Sequence, residues 1–198
     1  MKTMLQSMMM LLVFTIITGG LYPLGVTVVA QLAWPHESNG SLNEEKQKVQ
    51  GSELIAQKFV SQRYFWPRPS ASEYATIPSS ASNLGPTSAA LKQRIVKRRE
   101  ELARAHESDI SLVPEDLLTT SASGLDPHIS KEAARFQIGR VAKARGLDAL
   151  QIARLNQIVD RQVEGPQWGL FGEPRVNVLL LNLMVDKAFP IKAGTVGS

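Results

Sequence analysis

From Thr3 to Pro35 the chain carries no Asp, Glu, Lys or Arg, and all eighteen acids follow that stretch. The run from Met8 to Trp34 is longer than the roughly 20 apolar residues a helix needs to cross a ~30 Å hydrocarbon layer. It predicts a transmembrane helix over 8–34, preceded by a short N-terminal segment, 1–7. A cleaved secretory signal is the competing reading, since Lys2 makes a thin basic start and Val28-x-Ala30 is an acceptable small-residue cleavage site. The apolar region exceeds the ~7–15 residues of a signal core, and internal Gly and Pro are tolerated where neighbouring membrane helices satisfy the backbone. Thr15 and Gly19 form a small-xxx-small pair. With Gly20 and Pro23 they mark the positions expected to pack against another membrane helix. Trp34 suits the lipid–water interface. Lys2 on one side of the span, against Glu37, Glu44 and Glu45 on the other, places the N-terminus in the cytoplasm and the rest of the chain outside, despite Lys46 and Lys48.

The formal charge is only +4 over 198 residues, with bases and acids interspersed. That pattern describes a mixed solvated surface rather than a nucleic-acid footprint. With no cysteine, disulfides, thiolate metal sites and cysteine nucleophiles are excluded. Residues 35–50 read as a polar linker with a short strand at Lys48-Val49-Gln50, and a folded domain is expected over 51–189. Gly51-Ser52 opens a short helical pattern with Leu54, Ile55 and Phe59 on one side. The cluster Tyr64-Phe-Trp-Pro-Arg-Pro-Ser70 that follows cannot be helical throughout, and its aromatics read as core and wall. Residues 70–86 are a Ser/Ala/Pro-rich loop.

Thr87 is placed to cap a helix from Ser88 to about His106 with a stripe of Leu91, Ile95, Val96 and Leu102. Its bases from Lys92 to Arg104 read as a solvated face. Ser130 caps a second helix, Lys131 to Arg145, which ends at Gly146. Asp148-x-x-Gln151 is a capping box that starts a third helix running to about Val163. The apolar, β-branched run from Val176 to Val185 reads as a buried strand, and 190–198 as a disordered tail. The expected fold class is α+β: a single N-terminal transmembrane helix followed by one soluble mixed helix and strand domain.

Turn-forming polar residues are densest between Val113 and Ser130, so a site is sought there first. Ser123, Asp126 and His128 lie too close in sequence for the usual triad layout, in which a histidine bridges the other two across a cleft. No Walker-type Gly-x-x-x-x-Gly-Lys, Ser-x-x-Lys or His-Glu-x-x-His pattern occurs, and three scattered histidines make no metal set. The residues alone lead to an anchored domain built to contact something. A free-standing extracytoplasmic binding or hydrolase domain stays open as the alternative.

Several segments, in order, resemble one family: Thr18-Gly-Gly-Leu-Tyr-Pro-Leu24, Gly51-Ser-x-Leu-Ile-x-Gln57, Tyr64-Phe-x-x-Arg-Pro-Ser-Ala71 and Ser82-Asn-Leu-Gly-Pro86 in the first half. Val113-Pro-Glu-Asp-Leu117, Thr119-x-Ser-Ala-Ser-Gly-Leu-Asp126, Gln137-x-x-Arg-Val-Ala-x-Ala-Arg145, Gly172-x-Pro-x-Val-Asn177 and Leu181-Asn-Leu183 complete the set. Each is weak alone; together they resemble the C subunits of bacterial potassium-transporting P-type ATPases, the KdpC family. Ala56 departs from the family's frequent glycine, and nothing after about Phe189 aligns. The resemblance implies a non-catalytic subunit in the inner membrane. Its partners would be a potassium-binding channel-like subunit, an ATP-hydrolysing subunit and a small membrane peptide.

The same resemblance implies a role as catalytic chaperone, raising the hydrolysing subunit's affinity for ATP, with no cofactor of its own and ATP reached through the complex. Outside placement of the domain turns that effect into an allosteric one. If nucleotide is touched directly, the expected contacts are Ser121, Ser123, Gly124, Gln137 and Arg140, at a loop that ends on a helix start. The competing reading is that these groups cap turns and hold the fold.

Overall fold

The computed structural model describes residues 1–45 and 48–190. The chain divides into two compact units, Met1–Ser52 and Glu53 onward. The expected tail, apart from Pro190, lies outside the described residues.

In the first unit an apolar helix runs from Lys2 to Ala33, 32 residues, with none of its most apolar window buried. At ~1.5 Å per residue it is long enough to cross a membrane. It is built as α1 (Lys2–Ile16), a π turn (Ile17–Leu21) and α2 (Tyr22–Ala33). The π turn has a local cause. Pro23 has no N–H and its ring crowds the carbonyl four residues back, so the preceding turn widens through Gly19 and Gly20. The hydroxyls of Thr15, Thr18 and Thr27 donate to Leu11 O, Phe14 O and Pro23 O at 2.8, 2.6 and 2.8 Å, so none is left unbonded at membrane depth.

After a single turn, α3 (Pro35–Ser38), the polar stretch is not plain coil. β1 (Leu42–Glu45) pairs antiparallel with β2 (Lys48–Ser52), with a bulge between Asn43 and Glu44. Gly40 and Ser41, both at positive φ (86° and 48°), turn the chain into this hairpin, and Ser52 Oγ donates to Gly40 O at 2.7 Å.

Among its described residues the second unit packs four α-helices around a small antiparallel sheet: α4 (Ala89–His106), α5 (Lys131–Arg145), α6 (Ala149–Arg161) and α7 (Val178–Ala188). The sheet has order β3-β5-β4, from His128–Ser130, Arg175–Asn177 and Val163–Glu164. Its registers pair Ile129 with Val176 and Val163 with Val176, which puts apolar residues of all three strands side by side over the helices. Phe65, Leu117, Val141, Leu155, Val159 and Leu181 lie at the centre of the core.

Cap chemistry sets the helix ends. Ser130 Oγ accepts from Ala133 N at 3.0 Å, Gly146 closes α5 at φ +64°, and Asp148 with Gln151 forms the capping box of α6. The cap of α4 is Ser88 rather than Thr87; its hydroxyl takes Leu91 N. Within α4, Val96 is exposed and Leu102 buried, so the apolar stripe is narrower than the periodicity suggested.

Two expectations fail. No helix follows Ser52; the chain makes one turn and then runs extended, Leu54 faces solvent, and Ala56 N donates to Leu125 O at 2.8 Å. The apolar run read as a strand is strand only through Asn177. That residue's side chain then accepts Leu180 N at 3.2 Å and caps α7. A helix buried on most sides is apolar nearly all round, and a run of that kind shows no periodicity that would tell it from a strand.

Candidate functional site

The loop from Leu118 to Pro127 is held from within. Gly124 sits at φ +71°, and a Cβ there would come within 2.9 Å of Ser70 Oγ and 3.0 Å of Ser80 O, so this position requires glycine twice over. Ser121 is buried and its Oγ accepts Asp126 N at 3.5 Å; Ser123 is exposed and its Oγ accepts Leu125 N at 3.1 Å. Asp126 accepts from Arg68 Nη1 at 3.0 Å and from His128 N at 3.0 Å, and His128 Nδ1 lies 3.4 Å from it. Burial opposes the charge on Asp126, but the bonds from His128 and the Arg68 guanidinium outweigh it and hold the carboxyl below its ordinary range. Ser123 bonds locally to Leu125, while Asp126 ties β3 to the segment around Arg68. Arg68, Asp116, Asp126, His128 and Arg175 line a cleft of about 240 Å³, and the Nε of Arg68 is buried with no hydrogen-bond partner.

Gln137 and Arg140 lie in a second cluster, on α5, and the structure does not bring their polar atoms to the hydroxyl loop. Gln137 has no exposed surface; its Oε1 accepts Trp66 N at 2.7 Å and its Nε2 donates to Trp66 O at 3.1 Å. Asn182 on α7 does the same one residue earlier, accepting Phe65 N at 2.8 Å and donating to Phe65 O at 3.0 Å. Two amide side chains thus bond the Phe65–Trp66 backbone as a neighbouring strand would. Such bonds are needed, because buried N–H and C=O groups without partners each cost about 1–3 kcal/mol.

Two arginines extend the clamp. Arg140 donates to Gln62 O at 2.6 Å, Tyr64 O at 2.9 Å, Gln137 Oε1 at 2.8 Å and His106 Nε2 at 3.0 Å, and its guanidinium lies 3.8 Å from the Trp66 ring centroid. Arg145, its side chain only 3% exposed, donates to Arg63 O at 2.8 Å and pairs with Asp186 at 2.7 Å. Tyr64 donates to the other oxygen of Asp186 at 3.1 Å. Burial draws the Arg140 pKa down to about 10, which leaves it charged at neutral pH.

Because His106 Nε2 accepts from Arg140, its proton is on Nδ1 and donated to Leu102 O at 2.8 Å. Burial, with the nearby charges of Arg140 and Arg98, pushes the ring pKa down to about 4, so the imidazole is neutral. In the sequence reading Asn182 and Arg145 stood only within quoted family segments, His106 only as a helix end, and Asp186 had no part. An asparagine inside an apolar run was the one legible sign among them, since a buried amide implies a partner.

In the first unit, Gly19 and Gly20 fall in the π turn and Pro23 in the first turn of α2, and neither glycine has an atom within 4 Å of where a Cβ would be. Thr15 lies in the last turn of α1. Tyr22, Gly25, Val26, Val29 and Trp34 border an apolar groove of about 480 Å³. Among the described residues no group of three or more His, Cys, Asp or Glu is disposed to hold a metal ion.

A long exposed apolar helix that fits a membrane span, followed by a small α+β domain, is the architecture expected of a single-span subunit of a membrane complex. The family model for the K+-transporting ATPase c chain, KdpC, matches residues 4–187. A potassium-transporting ATPase KdpC subunit of Myxococcus xanthus is 50% identical over 191 residues, 95% of this chain and 89% of the relative. Those of Methylococcus capsulatus and Leptospira interrogans are also 50% identical, covering 91% and 93% of this chain and 95% and 94% of theirs. The chain belongs to the KdpC family of potassium-transporting ATPase subunits.

Proposed function

We propose that the chain steadies a high-affinity potassium-import ATPase and promotes ATP binding by its hydrolysing subunit from a distance, as a catalytic chaperone without a catalytic set of its own. One observation carries this reading. The polar groups that nucleotide chemistry would draw on, Gln137 and Arg140, are spent on holding the Gln62–Trp66 backbone, and a nucleotide reaching them would have to replace bonds the fold depends on. The partners in this reading are a channel-like potassium-binding subunit, the ATP-hydrolysing subunit, a small membrane peptide and the bilayer itself. Lys2 before the span and the acids after it support a cytoplasmic N-terminus and an extracytoplasmic domain. ATP affinity then changes only through contacts that differ between states of the pump. Direct contact narrows to the exposed Ser123 and the backbone beside it.

The assembled ATPase provides the test. The KM for ATP should rise when this subunit is left out. Ser123→Ala should leave the KM and the chain's own nucleotide binding unchanged, and a cysteine introduced at Ser123 should be labelled from outside sealed cells. Protection of that cysteine in intact cells, together with loss of ATP affinity in Ser123→Ala, would sink the allosteric reading.

A further inference from the structure

Between β4 and β5 the chain makes a short second hairpin whose tip is apolar and exposed. Gln167 and Phe171 pair across it, with Gln167 N donating to Phe171 O at 2.8 Å and Phe171 N to Gln167 O at 3.0 Å; Leu170 N closes the turn on Gln167 O at 3.1 Å. Trp168 and Gly169 take φ values of +53° and +75°, the mirror-image turn that matches strand twist. Glycine adopts this freely; a tryptophan does so at a cost that persists only where the surroundings impose it. The result is a presented ridge: Trp168 is 88% exposed, Leu170 80% and Phe171 61%, with the two aromatic rings edge-on at 6.1 Å.

No charge occurs from Gly165 to Gly172, and the run is closed by Glu164, paired with Arg175 at 3.1 Å, and by Glu173. An uncharged aromatic centre inside a charged rim is the anatomy of a protein–protein hot spot. With acids at both borders and no Lys or Arg between them, the tip lacks the basic cluster that lipid headgroup recognition uses, whereas a neutral pocket of a protein partner needs no basic flank. Elsewhere among the described residues of this unit, the large exposed apolar side chains stand singly or in pairs, as at Leu54, Ile77 and Leu150.

We infer that the Trp168-Gly-Leu-Phe171 tip is the anchor by which this domain docks into an uncharged apolar pocket on another subunit of the ATPase. The inference rests on the chain being an assembly subunit and goes beyond it by assigning the contact surface. The turn is preformed by its own hydrogen bonds, so little order has to be imposed on binding.

The test uses the full-length chain and the remaining subunits purified together without it. Trp168→Ala should raise the dissociation constant for reassembly roughly 30-fold or more and Phe171→Ala about tenfold, while Leu150→Ala, equally exposed on α6, changes nothing. The melting temperature of Trp168→Ala should match the parent, which separates lost docking from lost folding. Trp168 fluorescence, taken as the difference from Trp168→Phe, should shift to the blue on adding the other subunits and stay unquenched by brominated phosphatidylcholine bilayers alone. Wild-type reassembly by Trp168→Ala overturns the assignment while leaving the subunit reading intact. Quenching by the brominated lipid without other subunits overturns it in favour of the membrane. Failure of the unmodified chain to reassemble removes both readings together.

Discussion

The clamp around Phe65–Trp66 and the tip at Trp168–Phe171 invert the usual placement of polarity in opposite directions. In the clamp, two amides and two arginines are inside the core; at the tip, a tryptophan, a leucine and a phenylalanine are outside it. The first inversion is explained from within the domain. Residues 62–66 run from the surface to the buried Phe65 without a strand partner, and side chains of α5 and α7 take the carbonyls of Gln62 and Tyr64 and both backbone groups of Phe65 and Trp66. Nothing within the domain explains the second, because the tip's side chains make no contact the core requires. A buried polar group points to a structural need already met, and an exposed apolar ridge points to one that is not.

That contrast breaks most readily at Arg140. Arg140→Ala should cost about 3–5 kcal/mol in chemical denaturation of the full-length chain in micelles, since the carbonyls of Gln62 and Tyr64 lose a charged donor. A loss below about 1 kcal/mol would mean that water already serves those carbonyls and that the clamp is not dry. Gln137→Met keeps the shape and removes both bonds to Trp66, for an expected cost of about 2–3 kcal/mol. Hydrogen exchange at the Trp66 amide should accelerate in step.

A smaller effect is expected from pH. The His106 pKa in the folded chain, about 4, lies below its ordinary 6.5, so the unfolded chain binds the extra proton between those values. Stability should therefore be complete above about pH 6.5 and decline as pH falls toward 4, by on the order of 1–2 kcal/mol once the ring's partial exposure is allowed for. His106→Gln should flatten that slope; an unchanged slope would move its origin elsewhere. The smallest effect on stability belongs to the tip. Trp168→Ala should shift unfolding by no more than about 0.5 kcal/mol, and a larger loss would show that the ridge serves the fold after all.

Local signals were legible where the cause is local. The caps at Ser130 and Asp148 and the stop at Gly146 were read directly, because each acts within three or four residues of the helix end it sets. The Ser88 cap was missed by one position, as two hydroxyl residues stand side by side there. The strand read into 178–185 was a wrong choice between two ways of burying the same apolar surface; the Asn177 cap, a local sign, was available and outweighed by β-branched composition. The polar run before Gly51 hid a hairpin, because strands that lack apolar alternation leave no period-two signal to read.

By itself, the sequence determined the long apolar helix, the family and most of the helix ends, because transfer into lipid and end-capping depend on a residue and its near neighbours. Only the tertiary structure decided what Gln137, Arg140 and Asn182 do, since their partners at Trp66, Gln62 and Phe65 lie 71, 78 and 117 positions away. It also decided that Trp168 stands in the open. Exposure is a property of everything packed around a residue, and the uncharged run of eight that contains that tryptophan would read the same in a core.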